Sequence, residues 1–185
     1  DRKGDELKVT DRGDNKYTFQ MTNSKVEIEV SFTKIEEKPT GNPFIDVAEG
    51  SWYADAVQYV YDKGLMAGTS DTTFSPDATT TRGMIVTILY RLEGTPAVPG
   101  ASSFTDVTAG QYYTDAVAWA AANNIVGGYG NGLFGPNDTI TREQMAAILY
   151  RYAQYKGYDV TASADLSGYS DVAQVSSYAL AALQW

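Results

Sequence analysis

The sequence predicts a mainly α-helical fold made of helix–loop–helix repeats, preceded by a short β segment. Residues 44–92 recur without a gap as residues 104–152, and eighteen of the forty-nine aligned positions are identical. Apolar side chains within both copies follow the spacing of a helix, whereas those near the N-terminus alternate with polar ones as in a strand. Because repeated units pack against their neighbours, the repeat sets the architecture of this segment.

The repeat and the composition divide the chain into five segments: a β-rich segment (residues 1–34), a linker (35–41), two complete repeats (42–93 and 102–156) and a truncated third repeat (167–185). Within the β segment, short strands are predicted at residues 17–19 and 26–32. The chain starts in a polar stretch and stops partway through a repeat, which indicates a piece of a longer protein.

The first helix of each repeat is predicted from an apolar stripe at positions i, i+3, i+4 and i+7. The stripe consists of Tyr53, Ala56, Val57 and Val60 in one copy and of Tyr113, Ala116, Val117 and Ala120 in the other. Gly64 and Asn124 follow at the position where a left-handed residue commonly ends a helix. A turn-rich loop comes next, at residues 68–76 and 128–136, and its retained Phe74 or Phe134 is expected to plug the loop onto the core.

The second helix is predicted to begin after Thr81 and Thr141, because threonine is a good N-cap residue. Thr141 also forms a predicted capping box with Gln144, three residues further on. The buried face of this helix is expected to consist of Ile85, Ile88, Leu89 and Leu92 in one copy and of Met145, Ile148, Leu149 and Tyr152 in the other.

The composition excludes several classes of function. The chain contains no Cys and no His, so disulfides, thiolate or histidine metal sites and Ser–His–Asp catalysis are excluded. Residues 41–185 carry six Lys/Arg against fourteen Asp/Glu, which argues against nucleic-acid binding. No apolar run approaches the length of a membrane span, and no cofactor or metal is expected.

Arg82 and Arg142 directly follow the N-cap threonines. A cation there faces the positive end of the helix dipole, at a cost of roughly a few tenths of a kcal/mol, yet both copies keep it. Either the arginine and the free helix N–H groups bind one anion, or the arginine pairs with a retained carboxylate such as Asp46 or Asp106. The residues alone leave both interpretations open.

Other repeated side chains have simpler interpretations. Arg91 and Arg151 lie about half a turn around the helix from the first pair and are expected to pair with surface carboxylates. Trp52 and Tyr112 precede the first helices, where they either stack on a sugar ring or fix the helix start to the core.

The recurring carboxylates, Asp46, Asp55, Asp106 and Asp115, could indicate glycoside hydrolysis or calcium binding. Neither is expected, because an active site is rarely duplicated with its scaffold and the loops lack the calcium spacing.

Taken in order, the motifs Phe-x-Asp-Val, Trp/Tyr-Tyr-x-Asp-Ala-Val, Gly-x8-Pro and Thr-Arg resemble the S-layer homology family. They occupy residues 44–47, 52–57, 68–76 and 81–82, and again residues 104–107, 112–117, 128–136 and 141–142. A third copy matches only the opening half, at residues 169–172 and 178–185. The N-terminal segment resembles the end of small β-rich repeat modules of bacterial surface proteins.

This resemblance implies a pseudo-threefold helical bundle with grooves between the repeats. It implies non-covalent attachment to anionic, often pyruvate-bearing polysaccharides of the bacterial cell wall, outside the cell. The ligand-binding residues that it implies, together with their neighbours in the groove, are Arg82, Arg142, Thr81, Thr141, Trp52, Tyr112, Gln144, Gly68, Gly128 and Tyr129.

The sequence therefore predicts a non-enzymatic anchoring module for a cell-wall glycan. One alternative is the anchoring tail of a secreted glycoside hydrolase, and another is a protein–protein module for the assembly of a surface array. The incomplete third repeat is expected to leave apolar surface uncovered, which would allow self-association.

Overall fold

The chain divides into two compact units, Asp1–Thr40 and Gly41–Trp185. The computed structural model describes residues 9–11, 17–19, 41–98 and 100–185. In the first unit, the strands β1 (Val9–Asp11) and β2 (Tyr17–Phe19) pair antiparallel. The strand predicted at residues 17–19 is therefore present, and the one predicted at residues 26–32 lies outside the described residues.

The second unit is helical. Its described residues form α1 (Ala54–Asp62), α2 (Arg82–Leu92), α3 (Thr114–Ala122), α4 (Arg142–Tyr155), a short 3-10 helix (Val172–Gln174) and α5 (Leu180–Gln184). The predicted mainly α fold is confirmed. Helix α3 packs against α2, and α5 packs against α4, so the first helix of a repeat lies against the second helix of the preceding repeat. None of the helices in this described part of the chain has the length and apolar character needed to cross a membrane.

The ends of the helices follow the local sequence. The hydroxyls of Thr81 and Thr141 accept hydrogen bonds of 3.3 and 3.2 Å from the backbone N–H groups three residues on. The side-chain oxygen of Gln144 accepts a bond from the N–H of Thr141 in return, so the predicted capping box is confirmed. Gly64 and Asn124 have φ angles of 67° and 58°, the left-handed conformation predicted at the helix ends.

The core of the second unit forms where α2, α3 and α4 meet. Its fully buried side chains include Val86, Val117, Ile125 and Phe134. Phe134 packs on the ring of Phe104 at a centroid distance of 5.6 Å, and Phe74 packs on Phe44 at 5.4 Å. Phe134 is completely buried and Phe74 is half-buried, so each loop aromatic plugs its loop as expected.

Burial departs from the predicted stripes at four positions. Helical spacing predicts that Ala56, Leu92, Met145 and Leu149 are buried, but all four are exposed. Ala56 is exposed, although its counterpart Ala116 is fully buried, because α1 makes no contact with another described helix as extensive as that of α3 with α2.

The second helices differ from the prediction for the same reason. In α2, Val86 and Leu89 pack into the core with α3, and Arg82 is buried against the loop of the second repeat; this row at i, i+4 and i+7 bypasses Leu92. In α4, the partner is the five-residue α5, which is too short to cover the whole face. Met145 and Leu149 are therefore exposed. Neighbouring elements, rather than the periodicity of a single helix, decide which part of an apolar stripe is buried.

Candidate functional site

Arg82 lies at the contact between the two complete repeats and is only 5% exposed. The central carbon of its guanidinium lies 4.5 Å from the ring centroid of Tyr129 and 4.8 Å from that of Phe134. Its Nε donates a hydrogen bond of 2.8 Å to the backbone oxygen of Phe134. Cation–π attraction and a buried hydrogen bond thus hold Arg82 against the loop of the second repeat.

The first turn of α2 is also bound to the second repeat. The N–H of Arg82 donates to the oxygen of Asp138 at 3.0 Å, and the N–H of Gly83 donates to that of Pro136 at 2.8 Å. A Cβ atom at position 83 would lie 2.8 Å from the same Pro136 oxygen, so this close approach requires glycine. In the first repeat, helix N–H groups that could have met an anion are occupied by protein carbonyls.

Two of the four recurring carboxylates, Asp46 and Asp106, hold the loops. Each accepts two hydrogen bonds of 2.7–2.9 Å from backbone N–H groups, those of Phe74 and Ser75 for Asp46 and those of Phe134 and Gly135 for Asp106. The N–H of Phe74 is the main reason that the pKa of Asp46 lies below its ordinary value. Burial acts to raise the pKa of Asp106, but its backbone donors and the charge of Arg82 lower it overall. Among the described residues, neither carboxylate forms an ion pair with Arg82.

Arg142 has the same place in the repeat as Arg82 but very different surroundings. It is exposed, and it forms no hydrogen bond or ion pair with a described residue. The backbone N–H groups of Arg142 and Glu143 also reach no described acceptor, unlike their counterparts at the start of α2. The start of α4 therefore presents an unpaired guanidinium and free helix N–H groups together, an arrangement that suits an anion.

Arg142 borders a groove of about 680 Å³ between the start of α4 and the opening of the third repeat. The α4 side consists of Thr141, Arg142 and Glu143, and the opposite side of Leu166, Tyr169, Asp171, Val172, Gln174, Val175 and Leu183. Tyr169 is 65% exposed and offers an aromatic face. Asp171 adds a carboxylate to the same lining, so the groove contains charges of both signs.

Glu143 joins the two sides of this groove. Its Oε2 accepts a hydrogen bond of 3.0 Å from the N–H of Ser176, and its Oε1 accepts bonds of 3.0 Å from the Ser176 hydroxyl and 2.8 Å from the Tyr178 hydroxyl. The Ser176 N–H is the main cause that lowers the pKa of Glu143, so this carboxylate is charged at neutral pH. Sequence reasoning misses this residue, because its only signal is that it directly follows the motif arginine.

The aromatic residues before the first helices differ in exposure. Trp52 is 94% exposed and Tyr112 is 53% exposed. Their rings lie edge-on to Tyr53 and Tyr113, with centroids 5.5 and 5.0 Å apart. Tyr113 itself is only 4% exposed and belongs to the core. Trp52 and Tyr112 thus keep aromatic surface available to solvent.

A second groove, of about 480 Å³, lies between the loop of the first repeat and α2. Gly68 and Tyr112 are among its lining residues, and Arg82 is not. Arg91 lines it too, and donates a hydrogen bond of 3.0 Å to the backbone oxygen of Leu65. The predicted partner of Arg91, a surface carboxylate, is therefore replaced by a carbonyl. The structure brings Thr141 and Arg142 to one groove and Gly68 and Tyr112 to another.

The remaining predicted site residues have contacts within the protein. Gly68 and Gly128 have left-handed φ angles of 82° and 64°, and a Cβ at either position would approach a loop carbonyl oxygen to 2.5 Å. The hydroxyl of Tyr129 donates to Asp138 at 2.9 Å while its ring supports Arg82. Gln144 caps α4. These residues shape the loops and helix ends around the grooves.

Known proteins share these repeats. Residues 43–83 and 103–146 match the family model of the S-layer homology domain. Over 149 residues, the chain is 35% identical to an endoglucanase of Bacillus sp. (strain KSM-635). The aligned segment makes up 80% of this chain and 16% of that protein. Over 140 residues, it is 30% identical to an amylopullulanase of Thermoanaerobacterium thermosulfurigenes. The aligned segment makes up 74% of this chain and 7% of that protein.

The matches also include proteins of bacterial surface layers. Over 110 residues, the chain is 34% identical to the S-layer protein sap of Bacillus anthracis. The aligned segment makes up 59% of this chain and 13% of that protein. It is 32% identical over 135 residues to a surface-layer 125 kDa protein of Lysinibacillus sphaericus. The chain spans 16% or less of the length of the endoglucanase, the amylopullulanase and the sap protein.

Proposed function

Because the two matched segments belong to the S-layer homology domain family, we propose that this chain anchors a larger surface protein non-covalently to the bacterial cell wall. Modules of this family bind cell-wall polymers, and relatives of this chain include S-layer proteins and polysaccharide-degrading enzymes. The ligand in this proposal is an anionic wall polysaccharide, and the location is the outer surface of a bacterium.

Arg142 is the observation that carries the choice of an anionic ligand. The segment of residues 41–185 is strongly acidic, with fourteen Asp/Glu against six Lys/Arg, so its net field repels an anion. Binding then depends on a local cation that is not already neutralised. Arg142 fulfils this condition, because it is exposed, unpaired among the described residues and next to free helix N–H groups. A carboxylate substituent of the sugar would accept from both.

The sugar ring itself has a partner across the groove. Tyr169 lies on the opposite side from Arg142 and is 65% exposed. An aromatic face can stack on the apolar face of a sugar, while Arg142 receives its acidic group. Thr141 and Gln144 hold the start of α4 through the capping box and so fix the direction of the N–H groups.

Arg82 has another role in this proposal. Its guanidinium lies between Tyr129 and Phe134, and its helix N–H groups are bound to carbonyls, so a ligand would have to displace the second repeat to reach it. We assign the anion contact to the groove of Arg142. Gly68 and Tyr112 line the groove of about 480 Å³, where a neutral part of the polymer could bind. Trp52 is 94% exposed and lies outside the lining of both grooves, so it offers a separate aromatic surface.

Two further candidates differ in what the whole protein does. The match to an endoglucanase and an amylopullulanase favours a chain that serves as the anchoring tail of a secreted glycoside hydrolase. The matches to S-layer proteins favour a part in a surface array. The repeated carboxylates Asp46 and Asp106 are engaged by the loop backbone, so we propose no catalytic role for them.

Sedimentation with purified, protein-free cell wall tests the proposal. We expect the chain to co-sediment with untreated wall and to remain in solution after the acidic substituents of the wall polysaccharide have been removed. Retention on wall stripped of these substituents would favour neutral sugar stacking. Binding only to a surface-layer protein, with none to the protein-free wall, would favour the array-assembly alternative.

A further inference from the structure

The groove of Arg142 has one wall that depends on a single side chain. Residues 166–178 form the far side of the groove, and the hydrogen bonds that join them to α4 among the described residues all end on the carboxylate of Glu143. Three donors share its two oxygens: the N–H and hydroxyl of Ser176 and the hydroxyl of Tyr178. Such charge-assisted bonds are stronger than those between neutral groups.

The contact between the first and second repeats is built differently at the equivalent position. The residue equivalent to Glu143 is Gly83, which has no side chain and binds the next repeat through its backbone N–H. The residue equivalent to Tyr178 is Tyr112, whose hydroxyl lies 3.5 Å from that of Thr81 and makes no hydrogen bond with a carboxylate among the described residues. At Gly83, the first and second repeats meet directly through backbone atoms. At Glu143, a whole side chain lies between the second and third repeats, and a groove remains beside it.

We propose that Glu143 is a positioning residue for the Arg142 groove, whose carboxylate ties residues 166–178 to α4 so that ligand binding and the ordering of this wall stabilise each other. This inference rests on the proposed function, because it concerns the same groove. It assigns no ligand contact to Glu143 itself. Arg142 supplies the attraction, and Glu143 holds Tyr169 and its neighbours at the distance where they meet the same ligand.

Whether Glu143→Gln strengthens or weakens polymer binding distinguishes a positioning role from a purely electrostatic effect of the Glu143 charge. Glu143 is a negative charge next to Arg142 in the groove lining. If its charge were all that mattered, Glu143→Gln would remove repulsion and strengthen the binding of an anionic polymer. If Glu143 positions the wall, the same substitution would weaken binding, because the amide nitrogen of glutamine cannot accept the bonds that one carboxylate oxygen accepts.

The test uses Glu143→Gln and Tyr178→Phe. The matched control is Tyr90→Phe in the contact between the first two repeats, where Tyr90 packs on Trp119 and its hydroxyl donates a hydrogen bond of 2.8 Å to the backbone oxygen of Pro96. Tyr178→Phe removes one bond to Glu143 without a change in charge. We expect both groove variants to bind purified wall polysaccharide about five- to fifty-fold more weakly than the unaltered chain, the range of a moderate coupling between sites. Tyr90→Phe, which lines neither groove, should bind within about twofold of the unaltered chain.

Hydrogen exchange without ligand gives the second measurement. The amides of residues 166–178 should exchange faster in both groove variants, while those of α3 should keep their protection. In the unaltered chain, added wall polysaccharide should slow exchange over residues 166–178, as reciprocity requires. Tighter polymer binding by Glu143→Gln, or unchanged exchange at 166–178 in both variants, would overturn the inference.

These outcomes are distinct from failure of the proposed function. If the unaltered chain binds no wall polysaccharide, the anchoring proposal fails, and the ligand coupling fails with it. If the unaltered chain binds and Arg142→Ala does not, but Glu143→Gln and Tyr178→Phe bind normally, anchoring stands and only the role of Glu143 is lost. Circular dichroism of each variant confirms that its helices are formed.

Discussion

Arg82 and Arg142 occupy the same position in their repeats, yet one is buried and the other is exposed. Each follows a threonine cap and begins a second helix, so local sequence gives them the same start. The difference comes from the next repeat along the chain. Tyr129 and Phe134 enclose Arg82, whereas no aromatic ring among the described residues lies over Arg142. An identical motif is therefore buried in one copy and left exposed in the other.

At the residue scale, the first prediction concerns binding. Arg142→Ala should weaken the binding of purified wall polysaccharide by about 1.5–3 kcal/mol, because a charge-assisted bond to the anion is lost. Arg151→Ala, a change of the same charge further along α4, is the control and should have little effect. Isothermal titration with the purified polysaccharide measures both. Equal losses for the two variants would show that only the net charge of α4 matters.

The second prediction concerns stability. Arg82→Ala should lower the free energy of unfolding by about 2–3 kcal/mol, since it removes cation–π contacts with two rings and leaves the Phe134 carbonyl without its side-chain donor. Arg142→Ala should change the same quantity by less than about 0.5 kcal/mol, as expected for an exposed residue. Urea unfolding followed by circular dichroism gives both values. A larger loss for Arg142→Ala than for Arg82→Ala would reverse our assignment of the two roles.

At the scale of elements, each repeat closes its loop with one carboxylate. Asp106 accepts the N–H groups of Phe134 and Gly135, and in doing so holds Phe134 under Arg82. The tie therefore links the loop to the contact between repeats. Because Asp46 does the same in the first repeat, this is a property of the unit and not of one position.

A third prediction follows for Asp106→Asn. Asparagine retains one carbonyl oxygen, so one of the two backbone donors loses its acceptor, and we expect a loss of about 1–2 kcal/mol in unfolding free energy. Hydrogen exchange should show the largest increase at residues 128–136. Asp55→Asn, a change of an exposed carboxylate in α1, is the control. If the two variants were equally stable, the loop tie would contribute nothing.

The fourth prediction concerns the pH dependence of stability, whose direction follows from the hydrogen bonds that these carboxylates accept. The pKa values of Asp46, Asp106 and Glu143 are all lowered in the folded chain. The unfolded state therefore binds more protons as the pH falls, and the stabilisation is fully present above the ordinary carboxyl pKa. It is lost as the pH falls through the lowered values. Thermal unfolding should show a melting temperature that drops on acidification below the ordinary carboxyl pKa, and a smaller drop for Asp106→Asn.

Local sequence was sufficient to predict the helices, their threonine caps and the left-handed ends at Gly64 and Asn124, because each depends on neighbouring residues in the chain. It could not predict the burial of Arg82 or the exposure of Leu149, since both depend on which helix of another repeat lies alongside. The hydrogen bonds that Glu143 accepts from Ser176 and Tyr178 span 33 and 35 residues, which is beyond any local pattern. Long-range contacts thus decide the site, and local ones decide the elements.

At the scale of the whole molecule, the two contacts between successive repeats are unequal. The first contact contains the buried Arg82, the backbone bonds of α2 to the second repeat and the ion pair of Glu93 with Lys156 at 2.9 Å. The second contact relies on the Glu143 carboxylate and on α5, which buries Ala179 and Ala182 but leaves Leu180 40% exposed. Because fewer interactions hold it, the second contact should open at a lower free energy.

The fifth prediction is that residues 166–185 open before the rest of the helical unit. Met145, Leu149 and Trp185 are at least 36% exposed around this contact, so α4 keeps apolar surface that α5 does not cover. Hydrogen exchange should show lower protection at residues 178–185 than at residues 112–123. A longer chain that contains a complete third repeat should be more stable and should protect residues 178–185 more strongly.

The exposed apolar surface also makes self-association testable with the same two chains. Sedimentation velocity should show this chain associating as its concentration rises, and the longer chain with the complete third repeat remaining monomeric. Association should weaken for Leu149→Gln, which makes the uncovered face of α4 polar, and persist for Leu92→Gln, an exposed leucine on α2 that serves as the control. Equal protection at residues 178–185 and 112–123, together with a monomer at every concentration, would mean that α5 alone closes the core. The second contact between repeats would then be as complete as the first.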